Sequence, residues 1–222
     1  MKKDNPTFVA LSTLQIEDYQ EIIEYAKAMQ TVADFLHCDI ADGVFVPTKS
    51  YDASLIKTIN SNSLIALDVH LMVDEPFEQI DDYLKAGANV LTLQYEAFKD
   101  KNKLAEAVKK IKSFGILSGL ALNPETTLQQ AKNFLYTTDI VLLLSVNPGF
   151  PGQKFIPEVK EKIKELRDFR ETNNLKFKIE VDGGVNEKNA KELRTLGADI
   201  LVSGSFVYNS LDRKVAIDVL KS

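Results

Sequence analysis

A single-domain TIM (β/α)₈ barrel spanning residues 1–222 is the fold class that this sequence predicts, on three observations. Short apolar, β-branched runs alternate with amphipathic stretches in eight successive βα units. The apolar runs lack strict polar alternation, as expected for parallel strands buried on both faces. The length of 222 residues falls where α/β barrels of about 200–250 residues form one domain.

The first strand is expected at residues 8–11 and its helix at 16–29. The following pairs are 35–40 with 53–60, 64–69 with 76–86, and 90–93 with 103–114. The last four are 116–122 with 127–136, 140–146 with 157–172, 177–181 with 187–196, and 200–202 with 214–220. Gly87 and Gly197 each follow a helix and precede a strand, where glycine supplies a left-handed C-cap. The alternating charges of Lys160-Glu161-Lys162-Ile163-Lys164-Glu165 read as a solvated helix face. A doubly wound open sheet is the structural rival. It would carry a glycine-rich fingerprint after its first strand, where this chain has Ala10-Leu11-Ser12-Thr13-Leu14. No linker, low-complexity segment or copied sequence period interrupts the series.

Composition narrows the function classes. Hydrophobic residues make up 45% and charged residues 27%, as in ordinary globular proteins. A net charge of −5 without a basic stripe argues against a nucleic-acid partner. One cysteine, Cys38, permits no intrachain disulfide and suits a reducing compartment. Met1-Lys2-Lys3-Asp4-Asn5-Pro6 lacks the apolar stretch of a signal peptide, and no run approaches a membrane span. A cytoplasmic protein with no membrane partner is therefore expected.

In a barrel, chemistry sits where strands end and βα loops begin. The second strand runs into His37-Cys38-Asp39-Ile40-Ala41-Asp42-Gly43. Side chains alternate with period two, so His37 and Asp39 share one side while Cys38 turns away as a small buried hydrophobe. The third strand ends in Asp68-Val69-His70-Leu71-Met72 and the seventh in Glu180-Val181-Asp182-Gly183-Gly184. His37, Asp39, His70 and Asp182 could meet at one mouth as a His₂Asp₂ site. Such a nitrogen and oxygen set suits Zn²⁺, Fe²⁺, Mn²⁺ or Co²⁺ better than Mg²⁺ or Ca²⁺. A lone strand histidine is more often a hydrogen-bonded core residue, but this chain has only two, both at predicted strand ends. Asp42 and Asp68 read as a turn carboxylate or as partners lying behind a ligand.

Three small-residue turns suit an anion. The sixth strand leads into Asn147-Pro148-Gly149-Phe150-Pro151-Gly152-Gln153, the seventh into Gly183-Gly184, and the eighth into Gly204-Ser205. Turns of this kind can aim backbone N–H groups at a phosphate, and barrels place such sites after strands seven and eight.

These segments, together with Val44-Phe45-Val46-Pro47 and Asp68-Val69-His70-Leu71-Met72-Val73, resemble the ribulose-phosphate 3-epimerase family. The likeness runs from about Ser12 to Ser205, read against the usual strand positions of the fold. It implies an isomerase of carbohydrate metabolism, in the pentose phosphate pathway, that inverts C3 of a ketose phosphate. D-ribulose 5-phosphate and D-xylulose 5-phosphate would be its substrate and product. It implies one divalent metal, zinc first among Zn²⁺, Fe²⁺, Mn²⁺ and Co²⁺, held by His37, Asp39, His70 and Asp182. Asp39 and Asp182 would also be the acid/base pair. Ser12, His70, Met72, Gly149, Phe150, Pro151, Gly152, Asp182, Gly183, Gly184, Gly204 and Ser205 would contact the substrate and its phosphate. A homo-oligomer is implied as well.

The chain departs from the family pattern at four places. Ala41 and Leu144 stand where methionine is usual, Gln94 where histidine is common, and Pro151 where glycine is usual. Ala41 is expected to leave more room than methionine. Asn123-Pro124-Glu125-Thr126 and Phe155-Ile156-Pro157-Glu158 are similar to the allulose-6-phosphate 3-epimerases, which makes a six-carbon substrate the alternative. A reading of another class is a non-catalytic sugar-phosphate-binding paralogue. A related decarboxylase would need a lysine that residues 37–42 lack.

Overall fold

The computed structural model describes residues 6–222, so most of the Met1–Pro6 stretch lies outside the described residues. The strands are β1 (Phe8–Ser12), β2 (Phe35–Ala41), β3 (Ala66–Met72), β4 (Val90–Gln94), β5 (Leu117–Leu122), β6 (Ile140–Leu144), β7 (Lys178–Asp182) and β8 (Ile200–Ser203). All pair in parallel, in the order β1-β2-β3-β4-β5-β6-β7-β8, and β8 returns to β1 to close a barrel. Closure gives every strand two neighbours, which removes sheet edges.

The helices are α1 (Tyr19–Met29), α2 (Ala53–Asn62), α3 (Pro76–Ala86), α4 (Lys101–Ser113), α5 (Leu128–Ala131), α6 (Val159–Thr172), α7 (Ala190–Leu196), α8 (Ser205–Tyr208) and α9 (Arg213–Lys221). Their starts are written locally. Asp18, Asp52, Asp100 and Asp212 each accept a first-turn N–H, and Thr127 with Gln130 forms a capping box. Gly87 and Gly197 end α3 and α7.

Period two sorts the strand residues. Leu36, Cys38 and Ile40 of β2, and Leu67, Val69 and Leu71 of β3, pack outward in the large core beneath the helices. The alternate residues point into the barrel. There Ala10, Val90, Ile140, Ile200 and Val202, with Phe8 and Phe35, form a smaller apolar plug. His37, Asp39, Asp68, His70, Thr92, Gln94 and Glu180 are buried polar groups, all at strand positions of the inward parity.

Several element ends shift by one to three residues from expectation, and three differences have a clear physical reason. β3 starts at Ala66 rather than residue 64, because Leu64 is left exposed and pairing with β2 begins at Ala66↔Phe35. The stretch at 127–136 divides into α5 and a 3₁₀ turn at Phe134–Tyr136. The short α8 after β8 was not expected, since four residues carry no helical period.

Candidate active site

The site gathers at the C-terminal mouth, where β2 and β3 stand in register. Asp39 lies beside His70 and Ala41 beside Met72. His37 and His70 are completely buried and Asp39 nearly so. His37 Nε2 lies 3.4 Å and His70 Nδ1 3.2 Å from the same oxygen, Asp39 Oδ1. The other oxygen, Oδ2, accepts a 2.9 Å hydrogen bond from Ser12 Oγ. On its far side His37 Nδ1 donates to Asp68 Oδ2 at 2.6 Å, and His70 Nε2 meets Gln94 Oε1 at 3.1 Å.

These residues fit a divalent cation. His37 Nε2 is buried with no hydrogen-bond partner among the described residues, which native interiors rarely tolerate. One ligand atom each from His37, Asp39 and His70 lies within 4.8 Å of the others. Donors at zinc bond lengths on a tetrahedron would be about 3.3 Å apart, the spacing to which both imidazoles approach Asp39 Oδ1. Each imidazole is also held from behind by an oxygen acceptor, as metal-ligating histidines are.

Asp182 stands outside this group of three. It is half-buried on β7, three strands around the ring from β2, and it lines the same cavity as Asp39. The two carboxylates titrate apart. Burial alone would raise Asp39, but the adjoining positive charge of His37 and the closeness of both imidazoles hold it well below the usual carboxylate range. Burial, then the negative charge of Asp39, pushes Asp182 up to about 6. Burial opposes a charge on His37, yet Asp39 and Asp68 together raise it well above its ordinary value.

Below the mouth lies a group that the sequence reading missed. Glu180 is fully buried, neither carboxyl oxygen has a hydrogen-bond partner among the described residues, and Oε1 sits 3.9 Å from His37 Nδ1. Burial and then Asp68 raise it well above the usual range. The signal was available, since Glu180 shares the face of Asp182 by period two. Asp68 is the carboxylate behind His37. Asp42 is a turn residue that accepts from the N–H groups of Val44, Phe45 and Asp74.

The other half of the cavity is loop. Ser12, Met72, Gly149, Phe150, Pro151, Gly152, Gly183, Gly184, Gly204 and Ser205 line it with Asp39 and Asp182, whereas His70 lies behind the wall. Gly183 and Gly184 have φ of +119° and +65°. A Cβ on Gly184 would come within 2.5 Å of the Phe155 backbone nitrogen, and one on Gly183 within 2.6 Å of Val146. No larger residue lets the chain turn here so close to the 145–155 loop. Thr48 Oγ1 donates to Gly149 O, tying the loop after β2 to the loop after β6.

The four departures separate by location. Leu144 and Pro151 line the cavity. Ala41 does not; it packs with Val46 and Met72, with Phe45 against them. Gln94 stands behind His70.

Comparison with known proteins agrees with this layout. A family model described as the ribulose-phosphate 3 epimerase family matches residues 8–208. The chain is 37% identical to the ribulose-phosphate 3-epimerase of Helicobacter pylori (strain J99), over 91% of this chain and 93% of that one. It is 40% identical to the Bacillus subtilis enzyme of the same name, over 85% and 86%. Among solved structures, 3-keto-L-gulonate-6-phosphate decarboxylase from Vibrio cholerae superposes with a TM-score of 0.70 at 11% identity, covering 97% of this chain and 96% of its own. At that identity the likeness shows the fold alone.

Proposed function

This chain belongs to the ribulose-phosphate 3-epimerase family, and on that premise we propose that it reversibly inverts C3 of D-ribulose 5-phosphate to give D-xylulose 5-phosphate. The observation that carries the reading is a pair of aspartates, Asp39 on β2 and Asp182 on β7, that line one cavity from strands three apart, in surroundings that push Asp39 down and Asp182 up. Two carboxyl groups with separated protonation are what an acid/base pair requires.

The C3 hydrogen lies next to the C2 carbonyl, so its removal leaves an enediolate. Asp39, ionised, takes the proton from one face. Asp182, which holds its proton more tightly, returns one to the other face. Two groups are needed because one carboxylate cannot readily reach both faces of a held carbon. In the reverse direction the roles exchange. His37, Asp39 and His70 would hold the divalent ion, zinc first, with Asp182 as the fourth donor. When bound, that ion supplies Lewis-acid polarisation of the C2 and C3 oxygens and neutralises charge developing there. Ser12 holds Asp39 by its second oxygen and so limits its rotation.

The glycine turns after β6, β7 and β8 and the first residues of α8 form the phosphate end, the arrangement barrels use for that group. Binding energy there aligns C3 between the carboxylates. Phe150, 53% exposed at the rim, is placed to fold over bound substrate and exclude water. The relatives named ribulose-phosphate 3-epimerase favour the five-carbon substrate over allulose 6-phosphate. A cytoplasmic homo-oligomer acting on a small sugar phosphate, with no nucleic-acid or membrane partner, completes the proposal. No helix among the described residues is long and apolar enough to cross a membrane.

The test is incubation of the metal-supplied protein with D-ribulose 5-phosphate in deuterium oxide. Xylulose 5-phosphate carrying deuterium at C3 is expected, with allulose 6-phosphate turned over more slowly. Binding without deuterium exchange would make the chain a sugar-phosphate-binding paralogue. A preference for allulose 6-phosphate would reassign the substrate.

A further inference from the structure

Gln94 is fully buried at the end of β4, and its amide is anchored from three sides. Nε2 donates to Asn123 Oδ1 at 2.8 Å and to Glu96 Oε2 at 3.2 Å. The first acceptor belongs to an amide that could itself rotate, but a carboxylate only accepts. Glu96 is committed to that role, because its other oxygen takes the Asn123 N–H at 2.9 Å and the Thr126 hydroxyl. Lys162 Nζ pins the same loop through the Asn123 and Pro124 carbonyls. The amino group of Gln94 therefore faces Glu96, and Oε1 is left to face His70 Nε2 at 3.1 Å. A carbonyl oxygen opposite a ring nitrogen requires the proton to be on that nitrogen. In the neutral ring Nδ1 then turns a lone pair toward Asp39 Oδ1, 3.2 Å away. Two lone pairs at that distance call for a cation between them.

We infer that Gln94, locked by Glu96 and Asn123, is a positioning residue that holds the His70 proton on Nε2 and so presents Nδ1 as a ready metal donor. The inference rests on the metal reading of the same site. Asp68 does the equivalent for His37 through Nδ1, so the two imidazoles are set in opposite tautomers by different partners. A histidine at position 94 could accept through one nitrogen but could also turn its donor inward. An amide anchored by a carboxylate cannot, which gives the departure from the family pattern a physical consequence.

With only two histidines in the chain, the ring nitrogens can be read directly. The experiment records long-range proton–nitrogen correlations of histidine-labelled, chelator-treated full-length protein near pH 8, then titrates it with zinc against a chromophoric chelator. Wild type should show His70 protonated on Nε2 with bare Nδ1, before and after zinc. Gln94→Leu should spread the proton over both nitrogens and weaken zinc binding roughly 10–100-fold, the range for loss of a group behind a ligand. Gln94→His should recover most of that loss, since a ring nitrogen can also accept. If Gln94→Leu fails to fold, Glu96→Gln frees the amide to rotate and should show a smaller shift in the same direction. A wild-type proton on Nδ1, or folded Gln94→Leu or Glu96→Gln with unchanged tautomer and zinc affinity, overturns the inference. A wild type that binds no zinc yet keeps the Nε2 proton strikes the metal reading and leaves the proton placement standing.

Discussion

The two halves of the mouth are built on different principles. On the side of β2, β3 and β4, function is carried by side chains of strand residues, nearly all fully buried and each held by a named partner. On the side of β6, β7 and β8, it is carried by backbone in loops, where Gly149 is buried and Gly152, Gly183, Gly184, Gly204 and Ser205 are half-buried or exposed. The first half must place single atoms to within tenths of an ångström, and a paired sheet does that. The second must surround an anion, for which several N–H groups on a turning chain suffice. Departures from the family pattern follow the same division. Pro151 is exposed in the loop, whereas Gln94 in the wall is still a hydrogen-bonding residue, facing His70.

The largest expected effect separates the halves by chemistry. Asp39→Asn and Asp182→Asn should each lower kcat by roughly 10³–10⁴-fold, in line with loss of a general acid or base. Circular dichroism should stay unchanged. An Asp182→Asn enzyme within tenfold of wild type would remove the two-base assignment. Asp39→Asn should in addition lose metal.

Metal removal comes next and concerns the strand wall alone. Chelator-treated protein should lose activity and regain it with Zn²⁺, Fe²⁺, Mn²⁺ or Co²⁺, while still binding inorganic phosphate. Asp39 and Asp68 raise His37 against its burial, so zinc is expected to displace the Nε2 proton of the charged ring while Nδ1 keeps its proton on Asp68. Zinc affinity should therefore rise with pH, by up to about tenfold per unit while His37 remains protonated. Titration calorimetry in buffers of different ionisation enthalpy measures the proton released. No proton release would show that His37 is already neutral, with its one proton on Nδ1, before the ion binds.

The loop wall is sharpened by Gly184→Ala. The added Cβ meets the Phe155 nitrogen at 2.5 Å on a backbone with φ of +65°. Strain of about 1–3 kcal/mol is expected. KM for the sugar phosphate should rise about tenfold, with zinc affinity unchanged. Equal losses in both would show that the halves are mechanically coupled.

The smallest effect is on stability and has a definite sign. Asp182 is raised from 3.8 to about 6, so the folded chain holds its proton more tightly than the unfolded chain. Below about pH 4 both states are protonated and no penalty exists. As pH rises from there to 6 the metal-free fold loses stability, and above 6 the full penalty stands. At 1.36 kcal/mol per pH unit, and with solvent at the mouth screening the charge, this is about 1–3 kcal/mol. Metal-free Asp182→Asn should thus be more stable than wild type at pH 8 and equal to it near pH 4, measured by urea unfolding. Equal stability at both pH values would place Asp182 in a more polar setting.

Much of this molecule was already determined by its linear order of residues. Eight apolar runs with helices between them specify a closed parallel barrel. Period two puts His37 with Asp39, and Asp68 with His70, on one side of each strand. Glycine turns after three late strands mark the anion end. Tertiary structure alone decided the rest, because those facts depend on which strands become neighbours. Register between β2 and β3 sets His70 beside Asp39. Closure of the ring brings Asp182 into the cavity of Asp39, and it buries Glu180 without a hydrogen-bond partner among the described residues. Residues 29 positions apart bring Asn123 to Gln94, and no local pattern announces that contact. A sequence states which way each side chain points along its own strand; only the closed sheet states what it meets there.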